Sequence, residues 1–455
     1  MEVSFFQDLL SRISERGRQI LDFSSLIGVE EEESFESLCR ALLSSRGEAS
    51  GVALARRILD RYQGASEEEQ DDIFNFLASQ IVPDDKTIEI AAKAYIQDPS
   101  PKTLARLAET VESPRLELLR RLNLAPGGTA SLVHMRENLL GRLQANPAFQ
   151  SIDRDFSHLF SSWFNRGFLV LVRISWSSPA SILEKIIEYE AVHEIQGWDD
   201  LRRRLDPHDR RCFAFFHPAL NDEPLIFVEV ALGTDIPSSI QTVLESHGGP
   251  ENADPEPSVA VFYSISNCQD GLRGISFGNF LIKQVVEDLT KELPSLKTFV
   301  TLSPVPGFKS WLFRALGSGE LAYLPAPQQQ QLERLRSEGW VTEEAEQDAL
   351  QPAMLAAAAH YFLIAKDKSG RPLDPVARFH LGNGARLERI NWLGDTSQKG
   401  VSQALSLMVN YRYDLRDIER NHEAYVNQGS VIASKSVRAS LLVPEKSRAL
   451  AIAQE

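Results

Sequence analysis

The chain has 455 residues, and 48 Lys and Arg stand against 63 Asp and Glu for a formal net charge of −15. Hydrophobic residues make up 43% and charged residues 24%, a globular balance that excludes disordered, collagen-like and low-complexity classes. The acidic surplus argues against bulk nucleic-acid or anionic-membrane binding, and the length suffices for about two or three domains, each with its own core.

The first third reads as helix. Leu38, Leu42 and Leu43 stand at helical spacing, as do Ile58, Leu59 and Tyr62, then Ile73, Phe74, Phe76 and Leu77, then Leu116, Leu118, Leu119 and Leu122. Pro83, Pro99, Pro101, Pro114 and Pro126 punctuate the series. Strand-like alternation is nearly absent before residue 165, and no repeat of about 33 to 47 residues shows, so a helical bundle is expected rather than a solenoid. The acidic run Glu30 to Glu33 reads as a solvated helix face.

The pattern changes near Trp163-Phe164-Asn165-Arg166-Gly167, which places a boundary between residues 1–164 and 165–455. Phe168 to Ile174 reads as a strand, and Ser178-Pro179 as the cap and first-turn proline of a helix over Ala180 to Tyr189. A short helix follows over Trp198 to Leu205, then strands over Cys212 to Phe216 and Leu225 to Leu232, a helix over Ser238 to Glu245, and a Gly/Pro/acid loop from Gly248 to Pro257.

Val259 to Ser266 is an apolar strand, Asn267 to Gly274 a polar loop, Ile275 to Leu293 an amphipathic helix and Thr298 to Leu302 a strand. This order predicts a parallel pair with a right-handed crossover. Open sheets with such pairs bind ligands outside the carboxyl ends of their strands. Phe308 to Leu316 and much of 326–366 read as helix. Val376 to Leu381 and Ala385 to Trp392 alternate around Gly382-Asn383-Gly384 and predict a β-hairpin.

Four features could carry chemistry. The loop from Gln269 to Asn279 holds Gly271, Gly274 and Gly278 between a strand and a helix. Such a loop suits an anion, because glycine lets the backbone approach and first-turn N–H groups point at phosphate oxygens. It has neither the Gly-Lys-Ser/Thr of a nucleoside-triphosphate loop nor a strict GxGxxG, and alone it reads first as an ordinary strand–helix turn. Ser303-Pro304-Val305-Pro306-Gly307-Phe308 ends a strand. It reads either as a helix cap or as a hydroxyl fixed over the sheet edge, and a serine needs a paired base to count as catalytic. His380, in Arg378-Phe379-His380-Leu381, is either structural or a proton-transfer group. Tyr413, in Tyr411-Arg412-Tyr413, either packs or presents its hydroxyl to a polar site.

Other chemistries are disfavoured. Cys39, Cys212 and Cys268 make no CxxC, so neither a disulfide framework nor a Cys-rich zinc site is expected. The nine histidines show no metal spacing and no HExxH, and no GxSxG surrounds Ser303. The cysteine usage, a start (Met1-Glu2-Val3-Ser4-Phe5-Phe6-Gln7-Asp8) without a basic leader and too acidic for a transit peptide, and an end without Ser-Lys-Leu together predict a cytoplasmic, reducing setting. No run of about 18 apolar residues is available to span a membrane.

Taken in order, several segments resemble the malonyl-CoA decarboxylase family. They are Ala191-Val192-His193 with Gly197-Trp198; Phe262-Tyr263-Ser264-Ile265-Ser266; Gly271-Leu272-Arg273-Gly274 with Gly278-Asn279-Phe280-Leu281-Ile282-Lys283; and Leu302 to Phe308. Asn383-Gly384, Asn391-Trp392 and Met408 to Tyr413 complete the set. The likeness covers residues 165 to 435 closely and the first third more loosely.

The resemblance implies an α+β protein: an N-terminal all-helical bundle used in oligomerisation (1–164), followed by a mixed α/β catalytic domain of the GNAT acyltransferase fold (165–455). It implies a carboxy-lyase of fatty acid metabolism that converts malonyl-CoA to acetyl-CoA and CO2 without a cofactor or metal, assembled as a homotetramer built from dimers. Carried over residue by residue, Ser303 and His380 are the catalytic pair and Tyr413 an active-site tyrosine. Arg273, Gly274, Ile275, Ser276, Phe277, Gly278 and Asn279 form the CoA-binding loop, with Ser303 and His380 also touching the substrate. The family often has Glu where this chain has Ser276. Lys283 and Lys309 are candidates for the adenine and 3′-phosphate end, or plain solvated helix lysines. Two alternatives stay open: an acyl-CoA-dependent N-acyltransferase on the same fold, and a non-catalytic CoA-binding interaction protein.

Overall fold

Serines placed just ahead of acidic residues or prolines start three of the N-terminal helices. Ser66 forms a capping box with Glu69 at the head of Glu67–Ser79, and Ser100 and Ser113 cap helices whose first residues are Pro101 and Pro114. In the computed structural model the described residues are 34–44, 48–220, 222–245, 256–275, 277, 281–341 and 343–442. The expectations for Glu30 to Glu33, both chain ends, most of Gly248 to Pro257, Ser276 and Gly278 to Phe280 fall outside them.

The chain divides into two compact units. The first comprises Met1–Val170, Phe216–Leu225 and Cys268–Phe277. Its described helices are Phe35–Leu43, Glu48–Gln63, Glu67–Ser79, Asp85–Gln97, Pro101–Val111, Pro114–Leu122, Gly128–Arg142 and Gln150–Trp163. Phe156, Phe160 and Phe164 recur every fourth residue, so they line one side of the last helix and its end, fully buried, with successive ring centroids 5.5 and 5.6 Å apart. Burying each ring stabilises by about 2–3 kcal/mol. Arg115 is buried too, and satisfies its guanidinium with the Leu77 and Ile81 carbonyls and Asp155.

The second unit holds Leu171–Phe215, Ile226–Asn267 and Gly278–Glu455 and is built on a mixed sheet. Its strands are β1 (Val170–Ile174), β2 (Arg210–Phe216), β3 (Pro224–Gly233), β4 (Val259–Asn267), β5 (Thr298–Thr301), β6 (Ser303–Pro304), β7 (Arg386–Asn391) and β8 (Met408–Tyr413). The order is β1-β2-β3-β4-β5-β8-β6, with β7 on the other edge of β8. β4 and β5 run parallel from Val259↔Thr298 to Phe262↔Thr301, joined through the helix Leu281–Glu292, as the sequence predicts. β5 and β6 meet successive stretches of β8, at Phe299↔Tyr413 and then Ser303↔Val409. All three cysteines are buried and none is in a disulfide. Among the described residues no helix is long and apolar enough to cross a membrane.

Three local expectations are corrected. The hairpin around Gly382-Asn383-Gly384 is a helix, Pro375–Gly382, followed by β7. Asp374 caps that helix and Pro375 opens it, and this start signal outweighs a short alternation. The helix expected from Ile275 is described from Leu281, with Ile275 and Phe277 outside regular structure. Pro179, not Ser178, stands at the cap of Ala180–Tyr189, and the Ser178 hydroxyl accepts from Ser175 N–H instead.

Candidate active site

Alternation along the strands aims Thr301 and Ser303 to one face of the sheet, and Tyr411 and Tyr413 on β8 to that same face. The end of β5 is held by β8: Asn410 Nδ2 donates to the Thr301 carbonyl at 2.7 Å, and the Tyr411 N–H donates to Thr301 Oγ1 at 3.1 Å. His380 arrives from the Pro375–Gly382 helix. Buried Asp374 fixes the start of that helix by accepting from Ala377 N–H at 2.7 Å, and Tyr361 OH lies 3.5 Å from its other oxygen.

Three residues far apart in sequence meet here. Ser303 Oγ lies 3.1 Å from His380 Nε2, and His380 Nδ1 lies 2.8 Å from Tyr413 OH. Ser303 Oγ donates to Thr301 Oγ1 at 2.8 Å. The Tyr411 ring stacks on the imidazole, with centroids 4.6 Å apart and planes 24° from parallel. His380 is 3% exposed and Tyr413 2%. Burial pushes the His380 pKa down to about 3, so the ring is neutral at neutral pH, and burial raises the Tyr413 and Tyr411 hydroxyls above the ordinary phenol range. Burial lifts Asp374 to about 6, against the backbone N–H groups of Ala377 and Val376. The result is a neutral imidazole between two hydroxyls, arranged to move a proton without placing a fixed charge in the core.

Ser303 does not cap the following helix. Gly307 holds that position ahead of Phe308–Ser318, which leaves the serine hydroxyl to Thr301 and His380. Pro304, Val305 and Pro306 wall a cavity of about 270 Å³ together with Ala191, Val192, His193, Lys399 and Leu407. Glu190 supports one wall: its carboxylate accepts from the N–H groups of Val192 and His193 at 2.8 and 2.7 Å and from Ser264 Oγ at 2.7 Å. Lys399 Nζ donates to the Ala191 and Val192 carbonyls. Burial lowers the His193 pKa to about 4.

The described part of the glycine loop, through Phe277, belongs to the first unit. Arg136, 3% exposed and ion-paired with Asp153 at 2.8 Å, donates to the carbonyls of Gly271 and Arg273 at 2.7 and 3.0 Å. A Cβ on Gly271 would stand 2.0 Å from the Val133 carbonyl oxygen, so close contact with the Gly128–Arg142 helix requires glycine there. Gly274 has φ +81°, the side chain of Arg273 is exposed and Ile275 is buried. Lys283 Nζ pairs with Glu419 at 3.2 Å, and Lys309 lies in the first turn of Phe308–Ser318. Among the described residues no group of three His, Cys, Asp or Glu could hold a metal ion.

Sequence reasoning missed Thr301, Asn410 and Tyr411. Thr301 stands two residues before Ser303, the spacing that puts two strand side chains on one face, and that was the available signal.

Comparison with known proteins identifies the family. The malonyl-CoA decarboxylase C-terminal domain matches residues 167–451 and the malonyl-CoA decarboxylase N-terminal domain matches 82–164. The mitochondrial malonyl-CoA decarboxylase of Anser anser anser is 39% identical over 343 residues, covering 70% of this chain and 68% of that protein. That of Mus musculus is 38% identical, covering 70% and 69%. The crystal structure of malonyl-CoA decarboxylase from Rhodopseudomonas palustris superposes with a TM-score of 0.86 at 54% identity, covering 89% of this chain and 98% of that one. The Agrobacterium vitis structure gives 0.84 at 54%, covering 90% and 100%. The chain belongs to the malonyl-CoA decarboxylase family, a family of carboxy-lyases.

Proposed function

We propose that this chain converts malonyl-CoA to acetyl-CoA and CO2, with Ser303, His380 and Tyr413 at the reacting centre. The observation that carries the reading is the Ser303–His380–Tyr413 array, at 3.1 and 2.8 Å, in a member of this family.

When the C–C bond to the carboxylate breaks, its electron pair moves into the thioester carbonyl and leaves an enolate as CO2 departs. The thioester is its own electron sink, so the reaction calls on no cofactor. The protein has to stabilise the enolate oxygen and supply one proton to C2. A single positioned oxyanion donor is worth about 3 kcal/mol, and a positioned acid about 10²–10⁴-fold. Ser303 holds His380 Nε2, 3.1 Å away, against the bound malonyl group. His380 Nε2 delivers the proton to C2 and regains one from solvent. Tyr413 orients the ring through Nδ1. By the family resemblance the loop Arg273 to Asn279 takes the CoA moiety. Desolvation of the substrate carboxylate beside so buried a pair favours loss of CO2.

The helical region 1–164 serves oligomerisation, in a homotetramer built from dimers, and 165–455 carries the chemistry. The protein is cytoplasmic, in keeping with three buried thiols outside any disulfide. The test is direct. Purified protein given malonyl-CoA should release CO2 and accumulate acetyl-CoA without any addition, and Ser303→Ala and His380→Ala should each lower turnover by about 10²–10⁴-fold with the fold retained. Full activity in both variants would remove the pair from the chemistry.

A further inference from the structure

A serine beside a histidine can be polarised in either direction. If the serine proton points to the ring, the histidine is a base and the serine a nucleophile. If the ring proton points to the serine, the histidine is a donor and the serine is quiet. The heavy-atom geometry around Thr301 favours the second.

The Ser303 hydroxyl has one proton, and it is spent on Thr301 Oγ1 at 2.8 Å. Thr301 Oγ1 is also the acceptor for the Tyr411 N–H at 3.1 Å, so both its lone pairs are engaged. Thr301 cannot shift to relieve this. It is fully buried, its carbonyl is held by Asn410 Nδ2 at 2.7 Å, and it closes the β4–β5 pairing opposite Phe262. With its proton committed, Ser303 meets His380 Nε2 at 3.1 Å only as an acceptor, so the proton in that contact belongs to Nε2. A neutral ring then leaves Nδ1 bare, and the contact of 2.8 Å there is a hydrogen bond donated by Tyr413 OH.

We infer that Thr301 is a positioning residue that fixes the tautomer of His380: by accepting the Ser303 proton it keeps a hydrogen on Nε2 and prevents Ser303 from becoming a nucleophile. The hydrogen bonds run one way, from Tyr413 through the imidazole and Ser303 to Thr301. The direction suits a ring that must give a proton to carbon. It opposes acyl-enzyme formation, which would need the Ser303 proton on its way to Nε2. The inference rests on the assignment of Ser303 and His380 to the reaction, but it can be read without turnover.

The experiment is ¹⁵N NMR of protein labelled at histidine, with the His380 resonances identified by their loss in His380→Gln. In the wild type the proton is expected on Nε2 with Nδ1 bare. In Thr301→Val the acceptor is gone, the Ser303 hydroxyl is free to donate to Nε2, and the ring proton is expected to move to Nδ1. Malonyl-CoA turnover should fall by about 10²- to 10⁴-fold, the upper figure being the cost of a wrong histidine tautomer in a serine protease. Thr301→Ser keeps the acceptor and should restore both tautomer and rate. Should Thr301→Val not fold, Thr301→Ala removes the same acceptor with less buried bulk. A wild-type ring with its proton on Nδ1, or a Thr301→Val ring still protonated on Nε2, overturns the inference, as does wild-type turnover in Thr301→Val. A wild-type protein inert toward malonyl-CoA sinks the assigned reaction and leaves the tautomer readable, so the two failures are separate.

Discussion

Tyr413 OH and His380 Nδ1 stand 2.8 Å apart although 33 residues separate them, and both lie in an almost water-free part of the second unit. Tyr413→Phe removes the hydroxyl and little else, leaving a buried nitrogen without its partner. That is expected to cost about 1–3 kcal/mol of stability and to lower kcat more than it raises KM, because the ring then keeps Ser303 as its one side-chain hydrogen-bond partner among the described residues, beside ring contacts to Tyr411 and Phe379. Steady-state kinetics with denaturant titration reads both. Unchanged kcat would detach the tyrosine from the reaction.

The burial of His380 also writes a pH signature into stability. Its folded pKa, about 3, lies below the ordinary value of 6.5, so the unfolded chain binds the proton more readily. The stabilising contribution is complete above about 6.5 and is lost as pH falls toward 3. His380→Gln should therefore flatten the fall of the urea midpoint across that window relative to wild type, whatever its absolute stability. Parallel curves for the two proteins would show that another group governs the acid limb.

How far the sequence reaches is clearest in the two strands that meet at the site. The run Val259 to Ser266, the amphipathic helix and Thr298 to Leu302 predict the parallel pair β4–β5, because buried parallel strands are apolar throughout and a helix must cross between them. His380 is assigned to a strand instead of a helix because Val376, Arg378 and His380 alternate over a stretch too short to separate the two periods, while Asp374-Pro375 carries the true start signal. Thr301 is silent for a different reason: its role lies in the direction of a hydrogen bond to Ser303, which depends on the Tyr411 N–H arriving from a strand over 100 residues away. Ser303 and Tyr413 are legible through their motifs, and their meeting is a product of the fold.

The contact between Gly271 and the Gly128–Arg142 helix permits no added methyl group. Gly271→Ala places Cβ within 2.0 Å of the Val133 carbonyl oxygen, a backbone atom that cannot swing aside. The loop is expected to lose its seat and with it the two hydrogen bonds from Arg136. Because the family resemblance assigns that loop to CoA, KM for malonyl-CoA should rise well before kcat falls, and amide exchange over 268–277 should accelerate. Slow exchange in the variant with an unchanged KM would show that the loop's seating is not needed for binding.

Asp374 separates capping from charge at the helix that carries His380. Its carboxyl accepts from Ala377 N–H, yet burial lifts its pKa to about 6. A folded pKa above the ordinary 3.8 means that stability falls as pH rises from about 4 to 6, because the fold must then hold a desolvated carboxylate. Asp374→Asn keeps an acceptor for Ala377 N–H and turns an amide toward Tyr361 OH, which can accept from it. It should match or exceed wild-type stability at pH 7 and lose that advantage near pH 4. Asp374→Ala loses the cap, should cost about 0.5–2 kcal/mol, and should lower turnover by letting the helix start fray and His380 drift from Ser303. Urea titrations at pH 7 and pH 4 on the three proteins, with turnover at pH 7, decide it. If Asn proves as damaging as Ala at pH 7, the carboxylate charge itself is required, and the cap is not what Asp374 supplies.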